Sequence, residues 1–311
     1  QIEAVLEDLD LVEYVLQLGA ASLLYGPSNV SKTFLAIDLG THIAAGTPWG
    51  HGRRKVEEGV VIYVALEGAR SFNNRIAAVK AKGILPADKA SRLVTMSVPI
   101  ALLDEDDVNR VVLTAKVAAA QEGLPVRLII IDTLSRAMAG GDENASVDMS
   151  LVVKAIDRIR TETGAHLMIV HHTGKDESRG GRGHSSLRAA VDTEIELSRP
   201  DGSDVTTMTI RKQRDLAYIE PTAFRLNVVH LGHTPKGKPV TSCVVEHLDE
   251  RHDSRKPEPG RKRSYSDHAL LGLLVTPMTA AEWKEKAETE LGMSASTFYE
   301  NKARLTNEGK C

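Results

Sequence analysis

A chain of 311 residues, 42% hydrophobic and 26% charged, has room for about two globular domains, which excludes collagen-like, disulfide-framework and tail-like chains. Lys and Arg number 39 against 42 Asp and Glu, a formal net charge of −3, so any nucleic-acid contact has to come from local patches. Cys243 and Cys311 form neither a disulfide framework nor a metal spacing, no apolar run approaches the ~18 residues of a membrane helix, and the N-terminus lacks a signal-peptide profile; the expectation is a cytoplasmic chain without a membrane partner.

In chain order, residues 6–18 read as a helix packed outside the core, and residues 20–248 as short β-rich apolar runs alternating with amphipathic stretches. Strands are expected over 21–25, 60–64, 93–98, 127–131 and 166–170, and helices over 32–45, 71–82, 105–120 and 146–163. That alternation predicts an α/β fold with a mainly parallel sheet flanked by helices. After Asp192 the pattern becomes alternating strands, over 193–198, 204–211, 223–229 and 240–247, which predicts antiparallel strands at one sheet edge.

Residues 249–264, DERHDSRKPEPGRKRS, read as a basic linker, with six basic against four acidic residues. Residues 265–311 read as a small all-α domain of three short helices. Thr279 and Glu282 form a capping box, residues 291–293 a turn and residues 294–307 a last helix, which together make a helix-turn-helix. Its core would be Leu270, Leu274, Trp283, Ala287, Phe298 and Leu305, leaving Ser296, Thr297, Tyr299, Lys302 and Arg304 to meet duplex DNA. A three-helix protein-docking module fits the same pattern, and a winged-helix reading would be incomplete, without a wing hairpin after Lys310. The chain thus divides into 1–248, 249–264 and 265–311.

Gly26-Pro27-Ser28-Asn29-Val30-Ser31-Lys32-Thr33 follows an apolar strand and opens a helix, the setting of a Walker A phosphate loop. Backbone amides and the helix N-terminus would cradle the phosphates of ATP, Lys32 would reach the β and γ phosphates, and Thr33 would hold Mg²⁺. Ser31 stands where the pattern has glycine, so a side chain there crowds the phosphate or demands an unusual backbone angle. Residues 128–131 form an apolar strand ending in Asp132, placed as a Walker B acid that joins the Mg²⁺ shell; a turn cap made with Thr133 and Ser135 is the alternative. Glu67 leaves the second strand at the same edge, where it is either a general base for the attacking water or a helix cap or surface ion pair.

With Val64-Ala-Leu-Glu67, Ile131-Asp-Thr-Leu-Ser-Arg136, Asp142-Glu-Asn144, Val170-His-His-Thr-Gly-Lys175, Arg182-Gly-His-Ser-Ser186 and Asp192 in that order, the chain resembles RecA-like ATPases of the RepA hexameric helicase type, common on plasmids and phages. The resemblance spans residues 20–215 and implies a RecA-like core, a hexameric ring with ATP between subunits, Glu67 as the catalytic glutamate, and a γ-phosphate sensor at the His171, His172 pair, His172 foremost; taken alone, the pair also reads as satisfied structural histidines. Lys212 and Arg214, in Arg211-Lys-Gln-Arg214, resemble the Lys-x-Arg motif inserted into a neighbour's site; a solvated basic strand end is the other reading. Residues 175–186, polar with three glycines, read as a loop; the resemblance to RecA-like rings implies that it lines the central channel, where Lys175, Arg179 and Arg182 would track the backbone of single-stranded DNA, and the absence of aromatic stacking partners leaves no DNA contact here as the alternative. The function expected is a ring-forming replicative DNA helicase of a mobile element. The alternatives are a recombination mediator and a nucleotide-switched DNA-binding regulator with little hydrolysis.

Overall fold

The chain opens on an antiparallel hairpin, β1 (Asp10–Val12) and β2 (Leu16–Gln17). It then builds a nine-stranded sheet from β3 (Ala21–Gly26), β4 (Val60–Ala65), β5 (Leu93–Met96), β6 (Val126–Asp132), β7 (His166–His172), β8 (Thr193–Ser198), β9 (Thr206–Gln213), β10 (Thr222–His233) and β11 (Pro239–Leu248). The order across the sheet is β11-β10-β9-β8-β3-β7-β6-β4-β5. Every pair from β8 to β5 is parallel, and β9, β10 and β11 add to the β8 edge in antiparallel fashion. The computed structural model describes residues 9–50, 53–172, 182–248, 267–274, 278–291, 293 and 295–307.

Strand residues alternate between two cores, as a pleat covered on both faces requires. Leu24, Val61, Tyr63, Leu128, Ile130, Met168 and Val170 pack with α1 (Lys32–Ala45) and α2 (Ala69–Ala81). Leu23, Ile62, Val64, Ile129, Ile131, Leu167 and Ile169 pack with α3 (Glu105–Glu122), α5 (Ser146–Thr163) and α6 (Arg182–Ala190), and with the short α4 (Leu134–Ala137) that follows β6. Local chemistry sets the ends: Asp104 caps α3 by accepting from the amides of Asp106 and Asp107, and Gly123 closes it in the left-handed region. This is the mainly parallel sheet flanked by helices, with antiparallel strands at one edge, that the sequence led us to expect.

Two expectations are corrected. The helix over 6–18 is replaced, within the described residues 9–18, by the β1–β2 hairpin. Leu11, Val12, Val15 and Leu16 have helical spacing, but Tyr14 turns at φ 59° and its amide donates to Asp10 Oδ2 (3.1 Å), so a hairpin buries the same four side chains completely. The loop over 175–186 gives way to α6 from Arg182, because Leu187, Val191 and the Arg188–Glu194 pair (2.6 Å) supply that segment with anchors; residues 173–181 lie outside the described residues.

The chain divides into two compact units, one to Ser254 and one from Arg255. In the second, α7 (Asp267–Gly272), α8 (Ala280–Leu291) and α9 (Ala295–Asn307) close on Leu270, Trp283, Ala287, Met293, Phe298 and Leu305. The capping box is formed: Thr279 N donates to Glu282 Oε2 (2.7 Å) and Glu282 N to Thr279 Oγ1 (3.3 Å).

Candidate functional site

Parallel strands deliver their following loops to one edge of a sheet, and the register decides which loops meet. Here Gly26 pairs with His172, Asp132 with Val170 and Ala65 with Asp132. The ends of β3, β7, β6 and β4 therefore lie side by side, around a cleft of about 480 Å³ lined by Asn29, Ser31, Lys32, Thr33, Glu67, Asp132 and His172, with Phe34, Arg75, Arg199 and Leu226.

The phosphate loop is held by its backbone. Gly26 has φ 151°, and a Cβ there would stand 2.3 Å from the Leu197 carbonyl oxygen, so only glycine fits. Asn29 and Ser31 both take positive φ, 67° and 70°, Val30 is buried between them, and Pro27, Ser28 and Asn29 are exposed. The helix α1 begins at Lys32, directing its unpaired first-turn amides at the cleft. Lys32 is 4% exposed and its Nζ donates to the carbonyl oxygens of Gly26 (2.7 Å) and Pro27 (2.8 Å); burial lowers the ammonium to about 8, against the pull of Asp132 and Glu67.

Asp132 accepts from the Tyr63 hydroxyl (2.7 Å, at Oδ2) and from Thr33. Burial raises its carboxyl, and the two hydrogen bonds oppose that rise. Glu67 Oε1 accepts from Thr133 Oγ1 (2.9 Å) and lies 3.7 Å from Arg136 Nε. Burial, then the charge of Lys32, lowers His172, whose buried Nδ1 has no hydrogen-bond partner among the described residues; His171 is buried beside it. Arg75 lies over the Phe34 ring, 4.7 Å from its centre, and Arg199 donates to the Asn29 carbonyl.

These residues fit a nucleoside triphosphate with its cation. The left-handed loop and the α1 amides suit phosphate oxygens, Thr33 and Asp132 supply two hard oxygens for Mg²⁺, and the unsatisfied His172 Nδ1 offers a polar contact.

Lys212 and Arg214 lie elsewhere. Lys212 pairs in register with Glu194, at the end of the sheet where β3 starts, and its Nζ donates to the carbonyls of Arg188 (2.6 Å), Ala189 (3.2 Å) and Val191 (2.6 Å) at the C-terminus of α6. Arg214 pairs with Asp192 Oδ1 (3.0 Å), donates to the Ala189 carbonyl (2.8 Å) and stays half exposed. Lys175 and Arg179 lie outside the described residues, and Arg182 opens α6. On α9, Tyr299 is exposed, Thr297 and Lys302 are partly buried, and the Arg304 side chain lies outside what is described.

Sequence reasoning assigned no site role to Tyr63, Thr133, Arg136, Arg75 or Arg199. Of these only Thr133 and Arg136 carried a signal, standing one and four residues after Asp132 where a strand end turns into a helix.

No curated protein matches the chain. Among solved structures, the crystal structure of the RadB recombinase is 15% identical with a TM-score of 0.48, over 68% of this chain and 88% of that one. The ATPase domain of G40P is likewise 15% identical at 0.48, over 66% and 81%. No helix among the described residues is long and apolar enough to cross a membrane. A family profile described as an AAA domain matches residues 2–178, more than half of the chain and the stretch holding the phosphate loop, Glu67, Asp132 and His172, and the chain belongs to that family.

Proposed function

We propose that the chain is an ATP hydrolase that works on DNA as a ring-forming replicative helicase of a mobile element, of the RepA type its motif series resembles. The observation that carries this reading is the convergence of Lys32, Thr33, Glu67, Asp132 and His172 on one cleft at the edge of the parallel strands. Lys32 exchanges its two carbonyl partners for phosphate oxygens, which returns a desolvated ammonium to a full set of anionic acceptors. Thr33 and Asp132 would hold Mg²⁺, which would supply charge neutralisation at the transferred phosphoryl group when bound. Glu67 accepts the proton of the attacking water, and His172 contacts the γ phosphate.

In this reading Lys212 and Arg214 serve the site of a neighbouring subunit in a hexameric ring. Lys175, Arg179 and Arg182 grip single-stranded DNA, while Thr297, Tyr299, Lys302 and Arg304 face duplex DNA. The left-handed backbone at Ser31 (φ 70°) favours a second reading, a nucleotide-switched DNA-binding regulator with slow turnover.

Phosphate release from ATP and Mg²⁺, with and without a single-stranded thymidine oligonucleotide, tests the proposal beside Lys32→Ala and a sizing run. Stimulation by the oligonucleotide that disappears in the variant is expected. Nucleotide binding by a folded protein without turnover would overturn the motor and leave the switch.

A further inference from the structure

The β10–β11 ribbon outruns the sheet that carries it. β9 pairs with β10 at Thr222, Ala223 and Phe224, and Phe224 stands opposite Thr206, where β9 starts. That is the end of the sheet where the phosphate loop lies, since Ser198, the last residue of β8, pairs with Thr207, and Gly26 packs against the Leu197 carbonyl. Residues 225–233 of β10 run on past this end with β11 as their strand partner, over about 30 Å.

The ribbon is anchored on one side: Val229 and Val244 are buried in the core beside α2, and Leu226 reaches the wall of the phosphate cleft. Arg225, Asn227, Val228, His230 and Thr241 are exposed along it, and Thr241 lies opposite His230. At the tip, Thr234 N donates to the Lys238 carbonyl (2.8 Å) and Lys238 N to Thr234 Oγ1 (3.1 Å), with Gly237 at φ 75°. A hydrogen-bonded turn therefore presents Lys236 and Lys238 to solvent.

Residues 221–245 hold no Asp or Glu, although acids outnumber bases in the chain as a whole. Arg225 pairs with Glu246 (2.6 Å) at the base of the ribbon, whereas Lys236 and Lys238 have no ion-pair partner among the described residues. A cationic tip on a stretch without acids suits a polyanion. Its form decides which one, because the major groove of B-form DNA admits a two-stranded ribbon. Single strands are held in large part by stacking on aromatic rings, and the ribbon's one Phe, Tyr or Trp, Phe224, is 1% exposed.

We propose that the β10–β11 ribbon is a contact for duplex DNA, with Lys236 and Lys238 on backbone phosphates and His230 and Thr241 towards the major groove. It is a site apart from α9 and from the channel residues, and it rests on DNA being the partner in the reading above.

The test follows the anisotropy of a labelled random-sequence duplex and of a thymidine oligonucleotide of equal length, titrated with the full chain from about 50 to 200 mM salt. Wild type is compared with the double variants Lys236→Ala/Lys238→Ala and Lys236→Arg/Lys238→Arg, beside thermal melting to show equal folding and a sizing run. Each phosphate contact contributes about 0.9 to the slope of log K against log salt, so the alanine variant loses about 1.8 of it and binds duplex at least about tenfold more weakly at 0.1 M. Its oligonucleotide binding and elution volume stay as in wild type, and the arginine variant keeps the full slope. Slopes add over contacts, so duplex binding by α9 does not mask the loss. Duplex binding by wild type with an unchanged slope in the alanine variant overturns the inference alone, as does a loss confined to the oligonucleotide or a changed elution volume in its place. A wild type that binds the oligonucleotide and no duplex also overturns it and leaves the core's strand contact standing. One that binds neither overturns the DNA reading and the inference together.

Discussion

Ser31 shows how a single residue can sit against its own backbone. It caps α1 at φ 70° and ψ 25° and makes no side-chain capping hydrogen bond, so a non-glycine residue occupies the left-handed region without the contact that usually offsets it. That conformation costs about 1–2 kcal/mol for an L-residue, while glycine gives back about 0.4–1 kcal/mol through the greater freedom of its unfolded chain. Ser31→Gly is therefore expected to stabilise by about 1 kcal/mol or less, and Ser31→Val, β-branched at positive φ, to destabilise by about 2 kcal/mol. Urea unfolding measures both; a glycine variant less stable than wild type would mean that the Ser31 hydroxyl contributes more than its backbone costs. The same loop marks how far the sequence reaches at this scale. Gly26, Lys32 and Thr33 were legible because their spacing is local, whereas the Tyr63 bond to Asp132 and the Thr133 bond to Glu67 join residues 69 and 66 apart, which no local pattern encodes.

Elements are joined at His166. Its ring is buried between β2 and β3: Nδ1 lies 2.7 Å from the Gln17 carbonyl, which can only accept, so Nδ1 carries the proton and Nε2 accepts from Ser22 Oγ at 2.8 Å. Burial lowers this imidazole to about 4. The unfolded chain titrates near ~6.5, so between those values the unfolded state binds more protons and stability falls as the pH drops through the window; above it the contribution is flat. The loss amounts to about 3 kcal/mol by pH 4. His166→Gln, which keeps a donor but cannot titrate there, is expected to lower stability at pH 7.5 and to flatten its fall between pH 6.5 and 4; a variant with the wild-type slope would show that other groups set it. The hairpin carrying Gln17 was misread because helix and hairpin bury Leu11, Val12, Val15 and Leu16 equally well, and only the turn at Tyr14 separates them. By contrast α1 and α5 run from Lys32 to Ala45 and from Ser146 to Thr163 as expected, since both end on glycines, Gly46 and Gly164, in the left-handed region.

At the scale of the whole molecule, the sheet separates the two halves of the proposed chemistry. Ser22 pairs with Thr193 and Thr193 with Gln213, so Lys212 and Arg214 stand level with the start of β3, while the phosphate loop leaves its other end at Gly26. Four residues of strand, about 13 Å, and the thickness of the loop lie between them. Neither cation serves its own site from there, and a role in hydrolysis requires a second copy in a head-to-tail arrangement, the kind of interface that closes into a ring. Arg214 would have to leave Asp192 and the Ala189 carbonyl to do so, an exchange that a triphosphate's charge favours. The decisive experiment is complementation between two inactive variants. Lys32→Ala has no working phosphate loop but an intact Arg214, and Arg214→Gln has the reverse while keeping a donor for Ala189. In a random equal mixture about a quarter of head-to-tail interfaces join an intact loop to an intact arginine, so turnover should return to about a quarter of the wild-type rate although each variant alone has almost none. A mixture no better than the sum of its parts would remove Arg214 from the neighbour's site and leave Lys212 and Arg214 as the cap of α6.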